Sequence, residues 1–397
     1  MCVESIAAGG RGTGKTFRAG VLELVLTQNP PNSYSDQSVM DVAFWVDAAM
    51  LSREASFVRH LVMGLKAEGQ KVTFIAPQGL DLSALPTLGS RVLTYRWTGW
   101  ERIPVLQRLR LNSVARELGD EPADVIVAWG CADPAPLQLF SQSVPAMPMV
   151  VWCWDASELF TPTMKLPTVR HVVASSQAIA SRIPESSQIP MTVVHPGVYS
   201  DETLACYDVE GQMPCLVSLD PLSNRAAYEA LMRACRMLAD EGQEFLLFAY
   251  DTGKEEYPIW QMAEKMKLLE HLSFVPFQQD AEPLLLHGDL YIHILPTTRV
   301  QYRTLEAMAR GLSIVTCPNH GADYLIDGQT CRVVGPQTPE AWRDVLLELT
   351  RDRAKAAGIA RRGQQLMRER HSMGRTLEQF GSICRQAAGM AIPLGSR

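Results

Sequence analysis

The sequence lacks any long apolar run. Among its 397 residues there is no stretch of roughly 18 consecutive apolar residues, the length from which a membrane-spanning helix is inferred. Its first residues also lack a basic segment followed by a continuous apolar core, so a secretory signal is not expected. We expect a cytoplasmic protein, and leave open peripheral contact with the inner face of a membrane.

Paired cysteine motifs are also missing. The 9 cysteines are odd in number and scattered, and none stands in a Cys-x-x-Cys pair. This pattern argues against a disulfide framework and against a zinc site. Free buried thiols in a reducing compartment explain it more simply.

An excess of positive charge is absent. Lys and Arg total 37 against 43 Asp and Glu, a net charge of −6, so no nucleic-acid partner is expected. Apolar residues make up 47% and charged residues 20%, which is ordinary for a globular protein. At roughly 100–200 residues per domain, the length predicts two domains.

Residues 1–39 differ from the rest of the chain. Residues 9–16 fit the P-loop pattern G-x-x-x-x-G-K-[ST], which cradles phosphates when it follows a buried strand and opens a helix. Here the preceding residues make a poor strand, and residues 29–36 are turn formers. We expect residues 1–39 to be an extension, disordered or translated from a misread start. A P-loop ATPase is therefore the least supported function.

From residue 40 onward, strands and helices alternate. Residues 41–46 predict a strand, residues 53–68 an amphipathic helix and residues 71–76 the next strand. The predicted strands are nearly all apolar, as in parallel sheets covered by helices on both faces. A second series of this kind begins after about residue 206. The sequence thus predicts an α/β protein with two doubly wound domains, residues 40–205 and 206–365.

The most specific pattern surrounds Glu306. The sequence LEAMARG at residues 305–311 is followed by GADYLIDG at residues 321–328. This pair of motifs resembles the donor domain of the large retaining group of GT-B glycosyltransferases, which includes sucrose synthases and bacterial mannosyl- and glucosyltransferases (group 1, family 4-like). An isolated LEAMARG would equally fit a core helix on which Glu306 is solvated or favoured by the helix dipole.

The resemblance implies two Rossmann-like domains facing each other, and a final segment, residues 366–397, whose helix crosses back to the first domain. It implies transfer of a sugar, with retention, from a nucleoside diphosphate sugar to an acceptor hydroxyl, without a metal or cofactor. The acceptor, whether glycan, lipid or protein, is not indicated.

The resemblance also implies a donor site. Glu306, expected in the first turn of a helix over residues 304–310, would accept hydrogen bonds from the ribose, and the amides of Thr304 and Leu305 would hold the diphosphate. Arg225 would grip the same diphosphate, which makes Arg225 and Glu306 the catalytic candidates. The nucleotide pocket would be completed by Ser218 and Phe277.

Several positions depart from the group's pattern. Thr298 stands where the group has an acid that helps to hold the transferred sugar, and Leu219 or Asp220 stands where it has a basic residue. Residues 47–52 replace the glycine pair of the first strand-to-helix loop. Trp129 replaces a histidine, and residues 154–155 occupy its His-Asp stretch. The alternative function is therefore a catalytically degenerate GT-B protein that binds a nucleotide or a partner as a scaffold.

Four further side chains could act in the cleft. Arg299 and Arg303 could supply compensating charge for a phosphorylated ligand, or could lie on a solvated loop. Asp155 could face the cleft or cap the end of its strand. For His195 a structural place at the hinge between the domains is favoured over a role as a base.

Overall fold

The computed structural model describes residues 39–83, 85–97, 104–182, 188–208, 211–220, 225–251, 256–276 and 282–390. The expectations for residues 1–38, including the P-loop pattern, and for Phe277 lie outside these residues.

The first half of the described chain builds one parallel sheet of seven strands. Their order is β3-β2-β1-β4-β5-β6-β7, and the central strands β4 and β5 are fully buried because both faces are covered. The strands are β1 (Asp41–Trp45), β2 (Lys71–Pro77), β3 (Arg91–Tyr95), β4 (Val125–Trp129), β5 (Met149–Cys153), β6 (Val169–Ala174) and β7 (Met191–Val193).

The second half builds a parallel sheet of six strands, in the order β10-β9-β8-β11-β12-β13. These strands are β8 (Cys215–Ser218), β9 (Leu246–Asp251), β10 (Leu272–Pro276), β11 (Leu290–His293), β12 (Ser313–Thr316) and β13 (Arg332–Val333). Together the two sheets confirm the predicted α/β class with two doubly wound halves.

Helices cover both sheets. In chain order they are α1 (Ala48–Ala67), α2 (Pro104–Asp120), α3 (Pro134–Ser143), α4 (Gln177–Ala180), α5 (Arg225–Asp240), α6 (Glu256–Lys265), α7 (Glu282–Leu285), α8 (Tyr302–Ala309), α9 (Pro339–Arg351), α10 (Arg353–Arg370) and α11 (Met373–Ala388). Short 3-10 turns lie at Ala156–Phe160, Pro162–Lys165 and Leu269–His271. In the residues that the structure describes, no helix is both long enough and apolar enough to cross a membrane.

Helix α1 begins earlier than predicted. The sequence predicts a loop over residues 47–52, but the helix starts at Ala48. Asp47 is the N-cap, and its Oδ1 accepts a hydrogen bond from the amide of Met50 at 2.8 Å. An aspartate that satisfies a first-turn amide stabilises a helix start, so residues 48–52 are helical and the loop prediction is wrong.

The last helix, α11, packs against the first sheet. Phe380 stacks on Trp152 with ring centroids 5.0 Å apart and on Phe44 with centroids 6.4 Å apart. Leu377 lies over Gly64 of α1, where a Cβ atom would come within 2.3 Å of it. The core of the first half therefore includes side chains from the end of the described chain.

Strand order reverses at one point in each sheet. The reversals lie between β1 and β4 and between β8 and β11. At such a switch point the connections leave to opposite sides, which opens a crevice outside the carboxyl ends of the strands. The switch point between β8 and β11 is the place to look for the predicted donor site.

Candidate functional site

A buried His–Asp pair occupies the switch point of the second sheet. Asp220, just after β8, lies 2.7 Å from the Nδ1 atom of His293, the last residue of β11. The other carboxylate oxygen of Asp220 accepts a hydrogen bond from the amide of Ile294 at 2.6 Å. Burial acts to lower the pKa of His293, but the Asp220 carboxylate outweighs it and raises that pKa above its ordinary value. Among the described residues, the Nε2 atom of His293 has no hydrogen-bond partner.

Ser218, the last residue of β8, is fully buried. Its hydroxyl oxygen is 3.4 Å from that of Tyr228, which donates to the carbonyl oxygen of Asp220 at 2.8 Å. Ser218 thus has no exposed surface with which to line a nucleotide pocket. All four residues of β8 are buried, so the apolar pattern of this strand does not show which side chain reaches a pocket.

Arg225 opens helix α5 and is exposed. Together with Glu229, Gln261 and Lys265, it lines a shallow cavity of about 270 Å³ between α5 and α6. Thr298 lines a different cavity, so the structure does not bring these two candidates into one pocket. The role of Arg225 stays a prediction.

Helix α8 starts two residues before the predicted start. Because it begins at Tyr302, Glu306 is its fifth residue and lies in the second turn, so the first-turn position predicted for Glu306 is wrong. The amides of Thr304 and Leu305 donate to the carbonyl oxygen of Gln301, at 3.1 and 3.3 Å. These amides close the first helical turn in this structure, and their role in holding a diphosphate stays a prediction.

Glu306 itself is half-buried. Burial raises the pKa values of Tyr291 and Tyr302 well above the ordinary range, and the charge of Glu306 adds to both shifts. The Arg303 guanidinium acts on Tyr291 in the opposite direction. The charges of Glu306 and Arg303 therefore both lie close to β11.

Arg299 is buried between two carboxylates from the first half of the chain. Its NH1 atom lies 2.6 Å from Glu158 Oε1, on the 3-10 turn after β5, and its NH2 atom pairs with Glu54 on α1. Burial, with help from Arg53, lowers the pKa of Arg299 to about 9, and burial raises the pKa of Glu158 to about 7.

This arrangement contradicts both predictions for Arg299. The guanidinium is neither on a solvated loop nor open to a phosphate, because it satisfies Glu54 and Glu158. Sequence reasoning missed the two glutamates, which lie more than 140 residues away along the chain and belong to no motif.

Asp155 joins the two halves beside Arg299. Its Oδ2 atom accepts a hydrogen bond from Thr298 Oγ1 at 2.8 Å, and its Oδ1 atom accepts from the amide and the hydroxyl of Ser157 at 2.7 and 2.6 Å. Both alternatives predicted for Asp155 are therefore observed: its Oδ1 atom caps the 3-10 turn, and its Oδ2 atom faces the cleft, where it meets Thr298. Burial acts against ionisation, yet these hydrogen bonds keep the pKa of Asp155 below its usual value.

A second cavity, of about 380 Å³, opens at the same loop. It is lined by Pro296, Thr297, Thr298, Pro318 and His320. Gly321 allows the two loops to meet, because a Cβ atom there would lie 2.0 Å from the carbonyl oxygen of Thr298. This volume is within the roughly 300–1,000 Å³ range of small-molecule sites.

His195 makes structural contacts. Its ring lies against His371 with centroids 4.9 Å apart, and its carbonyl oxygen accepts from Thr376 Oγ1 at 2.8 Å. These contacts are made where the chain leaves β7 and meets α11, as the hinge interpretation predicts. Among the residues that the structure describes, no three His, Cys, Asp or Glu side chains are arranged to hold a metal ion.

Comparisons with known proteins identify the fold. Residues 215–352 match the family model Glycosyl transferases group 1. A glycosyltransferase from Rickettsia africae has a TM-score of 0.69 at 15% identity, over 88% of this chain and 99% of its own. The Anabaena protein HepE, solved in complex with UDP-glucose, has a TM-score of 0.68 at 16% identity, over 87% of this chain and 100% of its own.

A sucrose-phosphate synthase from Thermosynechococcus elongatus has a TM-score of 0.69 at 13% identity, over 87% of this chain and 98% of its own. No curated protein matches the chain. At these identities the similarity concerns the fold, and it confirms the GT-B architecture with two Rossmann-like halves.

Proposed function

We propose that this protein transfers a sugar from a nucleoside diphosphate sugar to an acceptor hydroxyl with retention of configuration. Its GT-B fold and the match of residues 215–352 to the family model Glycosyl transferases group 1 support this proposal. One observation carries this proposal. Helix α8, which bears Glu306, starts from the loop that follows β11, beside the switch point of the second sheet.

The proposed chemistry is electrostatic. Glu306 accepts hydrogen bonds from the ribose hydroxyls of the donor, while the positive N-terminal end of α8 favours the negative charge that develops on the departing diphosphate. Arg225 adds a cation to the diphosphate from the start of α5. With these groups the reaction proceeds without a metal, so a chelating agent should leave turnover unchanged.

A second candidate function has an observation in its favour. Asp220, buried and hydrogen-bonded to His293, places a carboxylate at or next to the position where the group resembled has a cation, and Arg299 is paired with Glu54 and Glu158. Both features reduce the positive charge open to a diphosphate. They favour a GT-B protein that binds a nucleotide or a partner without transferring sugar.

Binding of UDP, GDP and ADP, measured by calorimetry, tests the donor site. Glu306→Ala should weaken binding of the preferred nucleotide by roughly 1.5–3 kcal/mol, because a charged hydrogen-bond acceptor is lost. Glu340→Ala, which removes an exposed glutamate from the first turn of α9, is the control and should bind as the wild type does.

Arg225→Ala is compared with Arg233→Ala, which removes an exposed arginine from the same helix. If only the first variant loses affinity, Arg225 acts on the diphosphate. Turnover of a donor panel, with the anomeric configuration of the product read by NMR, then separates the two functions. Nucleotide binding without turnover supports the scaffold, and an inverted product contradicts retention.

A further inference from the structure

We propose that the exposed side of residues 353–375, which we call the basic face, docks on a membrane surface that carries anionic lipids. The basic face consists of helix α10 and the start of α11. Other residues line the two cavities of about 270 and 380 Å³, so this surface lies outside the candidate donor site. The inference goes beyond sugar transfer and does not depend on it.

Positive charge is concentrated in this one stretch of the chain. Residues 353–375 contain seven Lys or Arg against one Glu, a net charge of +6. The whole chain carries −6, so the other residues together carry −12. An anionic surface attracts the basic face and repels the rest of the molecule, which orients the protein as it approaches.

Helix α10 buries one side and exposes its cations on the other. Its buried residues recur at the three- and four-residue spacing of a helical stripe and are Ala356, Ile359, Ala360, Gly363, Gln364 and Met367. Its exposed cations are Lys355, Arg361, Arg362, Arg368 and Arg370. Arg375, in the first turn of α11, is exposed as well. A helix with one packed side and one cationic side can lie flat on a membrane surface.

Two of these arginines are held by backbone carbonyl oxygens. Arg362 donates to the carbonyl oxygens of residues 328–329 at 3.2 and 2.8 Å, and Arg368 donates to those of residues 201–202. Because a carbonyl oxygen carries no net charge, these bonds fix the guanidinium groups without cancelling their charge. An arginine that is already fixed loses less freedom when it binds a phosphate.

Carboxylates compensate only a small part of the charge. Among the described residues, Lys355 pairs with Glu348 at 2.6 Å, whereas the four exposed arginines of α10 form no ion pair with a carboxylate. Glu369, the one acid of the basic face, accepts a hydrogen bond from Gln365 at 2.8 Å. The arginine charges are therefore available to phosphate groups, which a guanidinium binds bidentately.

Exposed apolar side chains beside the arginines favour lipid as the occupant. Ile326, 42% exposed, opens the turn whose carbonyl oxygens hold Arg362. Met213, 44% exposed, follows Gln212, whose carbonyl oxygen accepts from Arg353 at 2.6 Å. An interface of phosphate head groups and acyl chains takes up both kinds of side chain, whereas the backbone of a nucleic acid takes up only the cations.

Co-sedimentation with lipid vesicles tests this inference. The full chain is mixed with vesicles of phosphatidylcholine alone, and with vesicles in which about one third of the lipid is phosphatidylglycerol. We expect binding to the anionic vesicles only. Raising the salt concentration from about 0.1 to 1 M should abolish it, because the screening length falls from roughly 10 to 3 Å. Arg361→Gln combined with Arg370→Gln should weaken binding roughly thirtyfold, since two cations are removed from the surface.

The matched control removes the same charge elsewhere. Arg170→Gln combined with Arg233→Gln changes one exposed arginine on β6 and one on α5, and should bind the anionic vesicles as the wild type does. All four arginines are exposed, so both double variants should keep the wild-type melting temperature. A wild type that does not bind anionic vesicles overturns the inference. Equal losses in the two double variants, or no loss in the first, overturn it as well.

A further variant tests whether the occupant is lipid. Ile326→Ser should weaken vesicle binding severalfold, because an apolar side chain no longer enters the interface, and Leu286→Ser, which changes another exposed apolar side chain, is its control. Duplex DNA and polyglutamate are titrated in parallel, and tighter binding of either one than of the anionic vesicles overturns lipid as the occupant. Nucleotide binding is measured separately, so this inference and the proposed function can fail independently.

Discussion

The guanidinium of Arg299 lies 2.6 Å from the carboxylate of Glu158, and this buried ion pair joins the loop after β11 to the turn after β5. Glu54 completes the cluster from helix α1, and among the described residues its Oε2 atom has no hydrogen-bond partner. One cation thus serves two buried carboxylates. The cluster holds the two halves of the fold in contact next to the hydrogen bond between Thr298 and Asp155.

We expect Arg299→Ala to lower the free energy of unfolding by about 3–5 kcal/mol, because it leaves two buried carboxylates without their cation. Urea denaturation at neutral pH measures the change. Arg332→Ala removes a more exposed arginine that also pairs with two carboxylates, Asp327 and Glu348, and should cost no more than about 1 kcal/mol. A cost of Arg299→Ala as small as the one expected for Arg332→Ala would show that the Arg299 cluster does not stabilise the fold.

The buried His371, between α10 and α11, predicts that the folded protein is sensitive to acid. Burial, with the neighbouring charges of His195 and Arg370, lowers the pKa of His371 from 6.5 to about 3, while its Nδ1 atom is 3.0 Å from the carbonyl oxygen of Pro196. In the unfolded chain His371 therefore binds a proton near pH 6.5, whereas in the folded chain it binds one only near pH 3. The stability that this group contributes is complete above pH 6.5 and falls, at about 1.4 kcal/mol per pH unit, as the pH drops toward 3.

His371→Asn should remove this part of the acid sensitivity, since an amide can still donate to Pro196. The free energy of unfolding is measured between pH 7.5 and 4.5 for this variant, for wild type and for His287→Asn, which changes an exposed histidine. If the wild type and His371→Asn lose stability with the same slope, His371 is protonated in the fold.

Helix α11 should be essential to the first half. Phe380→Ala removes a ring that stacks on Trp152 and Phe44, and we expect a loss of about 3–5 kcal/mol from the cavity that it leaves. Leu88→Ala truncates an apolar side chain that is 93% exposed, and its effect should stay within about 0.5 kcal/mol. Thermal and urea unfolding of both variants check the difference.

Gly321→Ala should disturb the contact between its own loop and the loop that carries Thr298. Its Cβ atom would overlap the carbonyl oxygen of Thr298, a backbone atom, so one of the two loops must move. We expect lower thermal stability and faster proteolytic cleavage of this region. Gly335→Ala, with no atom within 4 Å of the added Cβ, is the matched control and should behave as the wild type does.

The sequence predicts the architecture because each strand and motif is a contiguous run of residues. Strands such as β4 and β5 are continuous apolar runs, and they are buried on both faces as that pattern requires. The motif around Glu306 is also contiguous, and its resemblance to GT-B glycosyltransferases is confirmed by the fold. The helices that start at Ala48 and Tyr302 begin earlier than the sequence predicts, because apolar periodicity becomes visible only after the first turn.

The site is harder to predict because its contacts are distant along the chain. Arg299 reads as a free cation until Glu54 and Glu158, which no motif connects to it, are brought beside it by the fold. In the sequence, Leu219 or Asp220 stands where the group resembled has a basic residue, which suggests only the loss of a cation. The structure shows instead that Asp220 pairs with His293 across the switch point.

The return of α11 to the first sheet also sets an order of events during protein synthesis. Trp152 and Phe44 are made early, but the helix that carries Phe380 leaves the ribosome after the whole second half. At typical rates of synthesis, the roughly 180 residues from β7 to α11 take about 10–40 s to make. During that time the nascent first half exposes aromatic surface, which makes it a client for chaperones before it becomes half of a folded protein.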